Sequence, residues 1–306
     1  MPQEALKPMG IGRMIDLSFQ LYRKHFVKLM LIMLICYGLF YLLQAMTQGQ
    51  TVQSLFNVNE LMNYSSEGAE PLLAEESVGL VAALFGLIFL FLTPVVIASI
   101  VLLVHHVMQG EEVPSALQLL RMSFKRYGGL LGSSIVFGLM MIGFGIALVI
   151  AAMIMSVVAA ATSGIFGAFW MFLVIMGAVF TFYYFGIRFM YFLPVVVFKE
   201  DSIGIGRSWG LTRKSVWRLF GLFLIMLLLI YLFNFVAGLI LGFLPLGGVL
   251  LALLLVIVNL LTAPILYVVY AVSYFDLKVR DGMGLEEMIN RIVPGSVPPP
   301  PSPVDQ

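Results

Sequence analysis

Cysteine occurs once, at Cys36, and charge is scarce: 11% of the 306 residues are Asp, Glu, Lys or Arg. A lone cysteine excludes a disulfide framework and an all-cysteine metal site. Charge at under half the ~25% of an ordinary soluble domain excludes a soluble globular enzyme, a secreted module and a disordered chain. The 17 Lys and Arg against 16 Asp and Glu leave +1, without the basic excess that nucleic-acid binding needs. No His-Glu-x-x-His or Gly-x-x-x-x-Gly-Lys motif is present, so neither zinc-protease nor phosphate-loop chemistry is indicated. The histidines are His25, His105 and His106. Neighbours on a helix point about 100° apart, so His105 and His106 form no two-ligand face. No metal and no cofactor is expected.

What is abundant is apolar: 61% of the residues are hydrophobic and the mean hydropathy is +1.04. A bilayer core of ~30 Å takes about 20 apolar residues as helix. Six segments qualify: 26–46, 78–104, 130–160, 165–198, 219–243 and 249–275. The runs are unbroken, unlike the ~10-residue alternating strands of a membrane barrel. The expected class is all-α and polytopic, with one transmembrane domain over 1–293. Residues 294–306, rich in proline, read as a disordered tail. The first apolar run has no small-residue cleavage pattern after it and is expected to stay as a membrane helix. A short helix is expected at 52–62 of the long outer loop.

Charge sets the orientation. Lys28 lies just inside the first span; every other Lys and Arg falls in 1–25, 105–128, 187–218 or 276–306. The opposite side, 47–77, 161–164 and 244–248, holds Glu60, Glu67, Glu70, Glu75 and Glu76 and no base. By the positive-inside rule both ends face the cytoplasm of a bacterial cell membrane.

Each odd span follows an amphipathic stretch, expected to lie on the inner leaflet as a basic helix. In the first, Ile11, Ile15, Phe19, Tyr22 and Phe26 oppose Arg13, Asp16, Gln20 and Lys24. In the second, Val113, Leu117, Leu120 and Phe124 oppose Gln118, Arg121 and Lys125, with Pro114 in the first helical turn. In the third, Ile205, Trp209, Val216 and Phe220 oppose Arg207, Lys214 and Arg218. Ser18-Phe-Gln-Leu-Tyr-Arg-Lys24 parallels Ser208-Trp-Gly-Leu-Thr-Arg-Lys214; the middle copy keeps Ser123-Phe124 and Lys125-Arg126. Each even span carries a proline, Pro94, Pro194 or Pro264. A threefold repeat of parallel units follows, about 9–104, 113–198 and 203–275: surface helix, outgoing span, returning span kinked at proline.

Met9-Gly-Ile-Gly-Arg-Met-Ile-Asp-Leu-Ser-Phe-Gln-Leu-Tyr-Arg-Lys-His-Phe26 resembles the opening of bacterial membrane proteins named for the glycerophosphoryl diester phosphodiesterase membrane domain. Residues 188–219, with Leu193-Pro-Val-Val-Val-Phe-Lys-Glu200 and Arg207-Ser-Trp-Gly-Leu-Thr-Arg-Lys214, resemble that family's central loop. The resemblance implies a stand-alone six-helix membrane part. It does not imply the esterase, whose soluble barrel needs about 250 residues outside the membrane.

No catalytic residues are expected. Lipid-headgroup or partner contacts are expected at Arg23, Lys24, Arg121, Lys125, Arg126, Arg188, Arg207, Arg213, Lys214 and Arg218. The expected partners are anionic lipids of the inner leaflet and a protein at the cytoplasmic face. Arg188 has two readings: an inner headgroup residue just past a span ending near Gly186, or a partly buried cation that meets a lipid phosphate or Glu200-Asp201. Asn234 and Asn259 are expected to bond across helices. Gly128/Gly132 and Gly238/Gly242 are spaced for close helix contact. The expected role is a non-enzymatic scaffold or accessory factor, with a transporter or permease-like exporter subunit as the alternative. The topology predicts that a cysteine placed within 60–76 reacts with an impermeant thiol reagent in intact cells. Labelling confined to lysed cells would overturn the orientation.

Overall fold

The computed structural model of the chain describes residues 8–38, 41, 76–161, 165–244 and 248–281, and these are helical without any strand. In chain order the helices are α1 (Ile11–Lys24), α2 (Phe26–Gly38), α3 (Glu76–Gln109), α4 (Ala116–Phe124), α5 (Tyr127–Ala161), α6 (Ile165–Phe189), α7 (Phe192–Val197), α8 (Ile205–Thr212), α9 (Val216–Gly242) and α10 (Gly248–Arg280). Five stretches are long and apolar enough to cross a membrane: Leu90–Gln109, Tyr127–Val157, Phe166–Val197, Val216–Gly242 and Leu250–Arg280. The chain is therefore an integral membrane protein. The first expected span is present as α2, a shorter apolar helix. Its outer part, the acidic loop with its expected helix at 52–62, most of the two outer turns and the tail 294–306 lie outside the described residues.

Side-chain exposure divides the molecule. On α5, α6 and α9 large apolar groups such as Leu139, Met153, Phe172 and Leu228 are exposed, as lipid-facing helices require. The buried core gathers at the other end, from 95–104 of α3, all of α7 and 268–274 of α10. Every described Lys and Arg also sits toward this end, on a short helix, in a neighbouring turn, or in the terminal turn of a long helix.

The fourth expected span is divided. Its helix α6 ends at Phe189, and Met190-Tyr191 turn the chain into α7. Pro194 thus occupies the first turn of a new helix, where its missing N–H goes unused. Hydroxyls from α8 satisfy the break: the Ser208 Oγ–H donates to the Arg188 carbonyl (3.0 Å) and accepts the Tyr191 N–H (3.1 Å), and Thr212 Oγ1 donates to the same carbonyl (3.2 Å). Residues 192–197 pack in the core. Pro94 and Pro264 remain inside continuous helices.

The amphipathic stretches are shorter than their apolar periodicity implies. The third breaks at Arg213-Lys214-Ser215, so Val216, Arg218 and Phe220 belong to α9. The first breaks at His25, and Phe26 begins α2. Pro114 precedes α4, whose N-cap is Ser115 in a capping box with Gln118. The faces that dock on the protein differ from these apolar stripes. They are Met14, Ser18 and Leu21 on α1; Ala116, Leu119, Leu120 and Ser123 on α4; and Ser208, Leu211 and Thr212 on α8. Phe19, Leu117 and Phe124 point outward. Small hydroxyl residues let these helices approach the long ones closely, and lipid accommodates the larger apolar groups.

Ser18, Ser123 and Ser208, aligned by sequence, are each buried on the short helix that bears them. The docking follows one rule: α4 packs on α3, α8 on α6 and α1 on α10. Of these, α4 and α8 each lie on a long helix that precedes them in the chain, and α1 lies on the last helix. Ahead of α8, Gly204 has φ +78°, and a Cβ there would come 2.5 Å from the Phe192 carbonyl oxygen. Gly204→Ala is expected to cost about 1–3 kcal/mol from the backbone conformation alone, lowering the unfolding temperature in detergent. A variant as stable as the parent would show that this turn relaxes freely.

Candidate functional site

The charged end contains two kinds of cation. The first kind is paired. Asp276 of α10 is fully buried and accepts from the Met9 N–H (2.6 Å), from Arg280 Nε (2.9 Å) and from Arg218 Nη2. The Met9 carbonyl accepts from both guanidiniums, at 3.1 Å from Arg218 and 2.9 Å from Arg280. One carboxylate thereby clamps the segment before α1, the start of α9 and the end of α10. A second knot forms around Glu200, which accepts from the Tyr274 hydroxyl (2.7 Å) and from Lys278 Nζ (2.9 Å). Arg207 lies 3.7 Å from Glu200 and 2.7 Å from Asp281. The charges of Arg207 and Arg218, both expected at lipid-headgroup or partner contacts, are thus met by carboxylates within the chain.

Arg188 is 6% exposed and stacks on Trp209, its Cζ 3.6 Å from the ring centroid, with Tyr184 at 6.0 Å. It does not join Glu200 or Asp201 as sequence reasoning allowed, and its Nε is buried without a hydrogen-bond partner. The indole face supplies the counter-interaction, a cation–π contact strengthened by exclusion of water.

The second kind of cation is unpaired. Among the described residues no carboxylate lies within salt-bridge distance of Arg23, Lys24, Arg121, Lys125, Arg126, Arg213 or Lys214. All are exposed. They form a fringe over the ends of α1, α4 and α8. At the α1–α2 corner burial first, then Lys24 and Lys28, hold the His25 imidazole below its ordinary value, so it adds no charge to the fringe at neutral pH.

Two of the concavities among the described residues bear on the site. A pocket of about 310 Å³ between the α8–α9 turn and the end of α10 is lined by Arg213, Lys214, Ser215, Arg218, Arg280 and the rings of Tyr184 and Trp217. A larger apolar cleft of about 570 Å³ lies between α6, α9 and α10, with Tyr183, Phe223, Leu227, Ile230, Asn234 and Asn259 among its walls. Those asparagines do not join helices as expected. Each donates to its own helix, Asn234 to the Ile230 carbonyl (2.9 Å) and Asn259 to that of Leu255 (3.0 Å), and both face the cleft. Nor do the spaced glycines create close contacts: Gly128 and Gly132 have open space beside them and Gly238 only reaches Leu255 at 4.0 Å.

The histidines are absorbed by packing. His105 stacks on Phe275 and lies tilted against Phe198, and His106 bonds the Leu102 carbonyl (2.8 Å) and lies 3.9 Å from Glu111. No cluster of His, Cys, Asp and Glu suited to a metal occurs among the described residues. Composition and periodicity did not single out the Asp276 clamp; the signal was a lone acid at the end of an apolar span. No protein family, curated protein or solved structure matches the chain.

Removing the buried carboxylate leaves two guanidiniums uncompensated, at about 3–5 kcal/mol for a broken buried pair. Asp276→Asn is therefore expected to lower the unfolding temperature and to expose the segment before α1 to protease. Unchanged stability and protease resistance would show that the clamp does not hold the ends together.

Proposed function

We propose that the chain is a non-enzymatic protein of a bacterial cytoplasmic membrane, a scaffold or accessory factor that gathers anionic lipids, and through them partner proteins, at the inner leaflet. The observation that carries this reading is the separation of its cations: Arg207, Arg218, Lys278 and Arg280 are paired with Asp276, Glu200 and Asp281, and Arg188 is covered by Trp209, while a fringe on three short helices and their flanking turns keeps its charge outward. Each such cation near an anionic surface gains about 1 kcal/mol. In this reading the chain crosses the bilayer six times, α2 being the inner part of the first span, with both ends cytoplasmic as the one-sided distribution of Lys and Arg requires. At the core, His105 is engaged with aromatic rings and Asp276 and Glu200 in ion clusters.

The same fold supports the threefold repeat. Three aligned serines are buried on three short helices, and the three dockings follow one cyclic rule. Likeness to the membrane domain of the glycerophosphodiester phosphodiesterase proteins rests on residues 9–26 and 188–219.

One observation favours transport as the second reading: the cleft between three spans, walled by Asn234 and Asn259. Substrate-dependent flux in proteoliposomes, or co-purification of an ATPase, would select it.

In nanodiscs of mixed composition, the parent chain is expected to retain anionic over zwitterionic lipid. Neutralising Arg23, Lys24, Arg213 and Lys214 together is expected to reduce that preference by more than about tenfold, read by mass spectrometry of retained lipids. Equal retention by both forms would remove the proposal.

A further inference from the structure

The basic pocket and the apolar cleft adjoin along the groove between α6 and α9. A row of rings runs from one to the other: Tyr184 to Trp217 (6.4 Å between centroids), Trp217 to Phe220 (6.1 Å) and Phe220 to Tyr183 (5.0 Å). Tyr184 and Trp217 line the pocket, and Tyr183 lines the cleft. We propose that the two form one binding site for a single anionic glycerophospholipid, its phosphate in the pocket and one acyl chain in the cleft. This rests on the lipid-gathering role proposed above and gives it a defined place.

The charge argument comes first. The pocket brings together Arg213, Lys214, Arg218 and Arg280, and the carboxylate bonded there is Asp276, held by Arg218 and Arg280. Arg213 and Lys214 have no carboxylate partner among the described residues, and Arg218 Nε is buried without an acceptor. A phosphate presents several acceptor oxygens and suits guanidinium donors in particular. The amides of the first turn of α9 open on the same side without a side-chain cap and add to the positive potential. Tyr and Trp at the rim are the side chains that settle at the boundary between headgroups and hydrocarbon.

Length supports the acyl half. From Arg218 to Phe223, where the cleft begins on α9, the axis advances about 7 Å. From Phe223 to Asn234 it advances a further ~16 Å, about half of a ~30 Å hydrocarbon core. The cleft is therefore as deep as one leaflet. Leu227 and Tyr231 on its wall are exposed, so it opens sideways, where a chain from the bilayer enters without leaving hydrocarbon. A headgroup held at the pocket and a tail held in the cleft also distinguish a bound lipid from one that merely surrounds the protein.

The test uses the full chain in nanodiscs doped with phosphatidylglycerol carrying a diazirine in one acyl chain, with the phosphatidylcholine analogue as comparison. After irradiation, labelled peptides are expected to concentrate at 182–190 and 223–234 over the lipid-facing face of α5. Arg213→Gln with Lys214→Gln, both in an exposed turn, is expected to reduce that labelling about tenfold. Leu227→Trp, which fills the cleft and leaves the pocket untouched, is expected to reduce acyl labelling to a similar degree. Labelling spread evenly over α5, α6 and α9 and indifferent to both variants overturns the site, showing surrounding lipid only. If the parent chain then still retains phosphatidylglycerol over phosphatidylcholine, the site alone fails. If it retains neither preferentially, the lipid-gathering role fails with it.

Discussion

The fold depends on where one buried negative charge finds its partners. Asp276 cannot be left unpaired in an environment with little water, since an isolated carboxylate there costs several kcal/mol. It is satisfied by the chain before α1, by α9 and by α10 together. Those contacts close the chain before α1 onto α9 and α10, and α1 packs on α10, as α4 packs on α3 and α8 on α6. Without the closure, α1 would lack the ties at its leading end that hold it against the rest.

A related constraint governs the α6–α7 break. Lipid offers no hydrogen bonds, so an interrupted helix must be satisfied by protein groups. Ser208 and Thr212 of α8 do this at the Arg188 carbonyl and the Tyr191 N–H. The short helix is therefore structural on its inward face, where hydroxyls meet backbone, and available on its outward face. The same division holds for charge. Arg207, Arg218, Lys278 and Arg280 are consumed in ion clusters, and Arg213 and Lys214, at the turn between α8 and α9, stand outward beside a pocket bounded by aromatic rings.

Much of the architecture was legible in the residues. The long apolar runs located α3, α5, α9 and α10, with ends displaced by several residues, because twenty apolar residues have few other destinations. The aligned serines pointed to equivalent places, and all three proved buried. Less legible were the faces of the short helices. Periodicity placed Phe19, Leu117 and Phe124 on the apolar face of a surface helix, and they are exposed; it did not show which residues dock each helix on the protein, since in lipid an apolar side chain gains nothing by turning inward and small residues decide the packing. Asn234 and Asn259 misled for a related reason: an amide can bond its own preceding turn as readily as a neighbouring helix, and spacing alone does not choose.

Composition and periodicity by themselves determined that this chain is helical and embedded in a membrane, and that its cations collect at one end, because the cost of placing charge in hydrocarbon is a property of each residue and not of its neighbours. Which cations are neutralised was decided by tertiary structure. Arg207 and Arg213 look alike in sequence, six residues apart, yet one meets Glu200 and Asp281 and the other meets none of the described carboxylates, since pairing depends on distances set by helices far apart along the chain. The groove that joins a basic pocket to an apolar cleft belongs to the same category, because it exists only where α6, α9 and α10 come together.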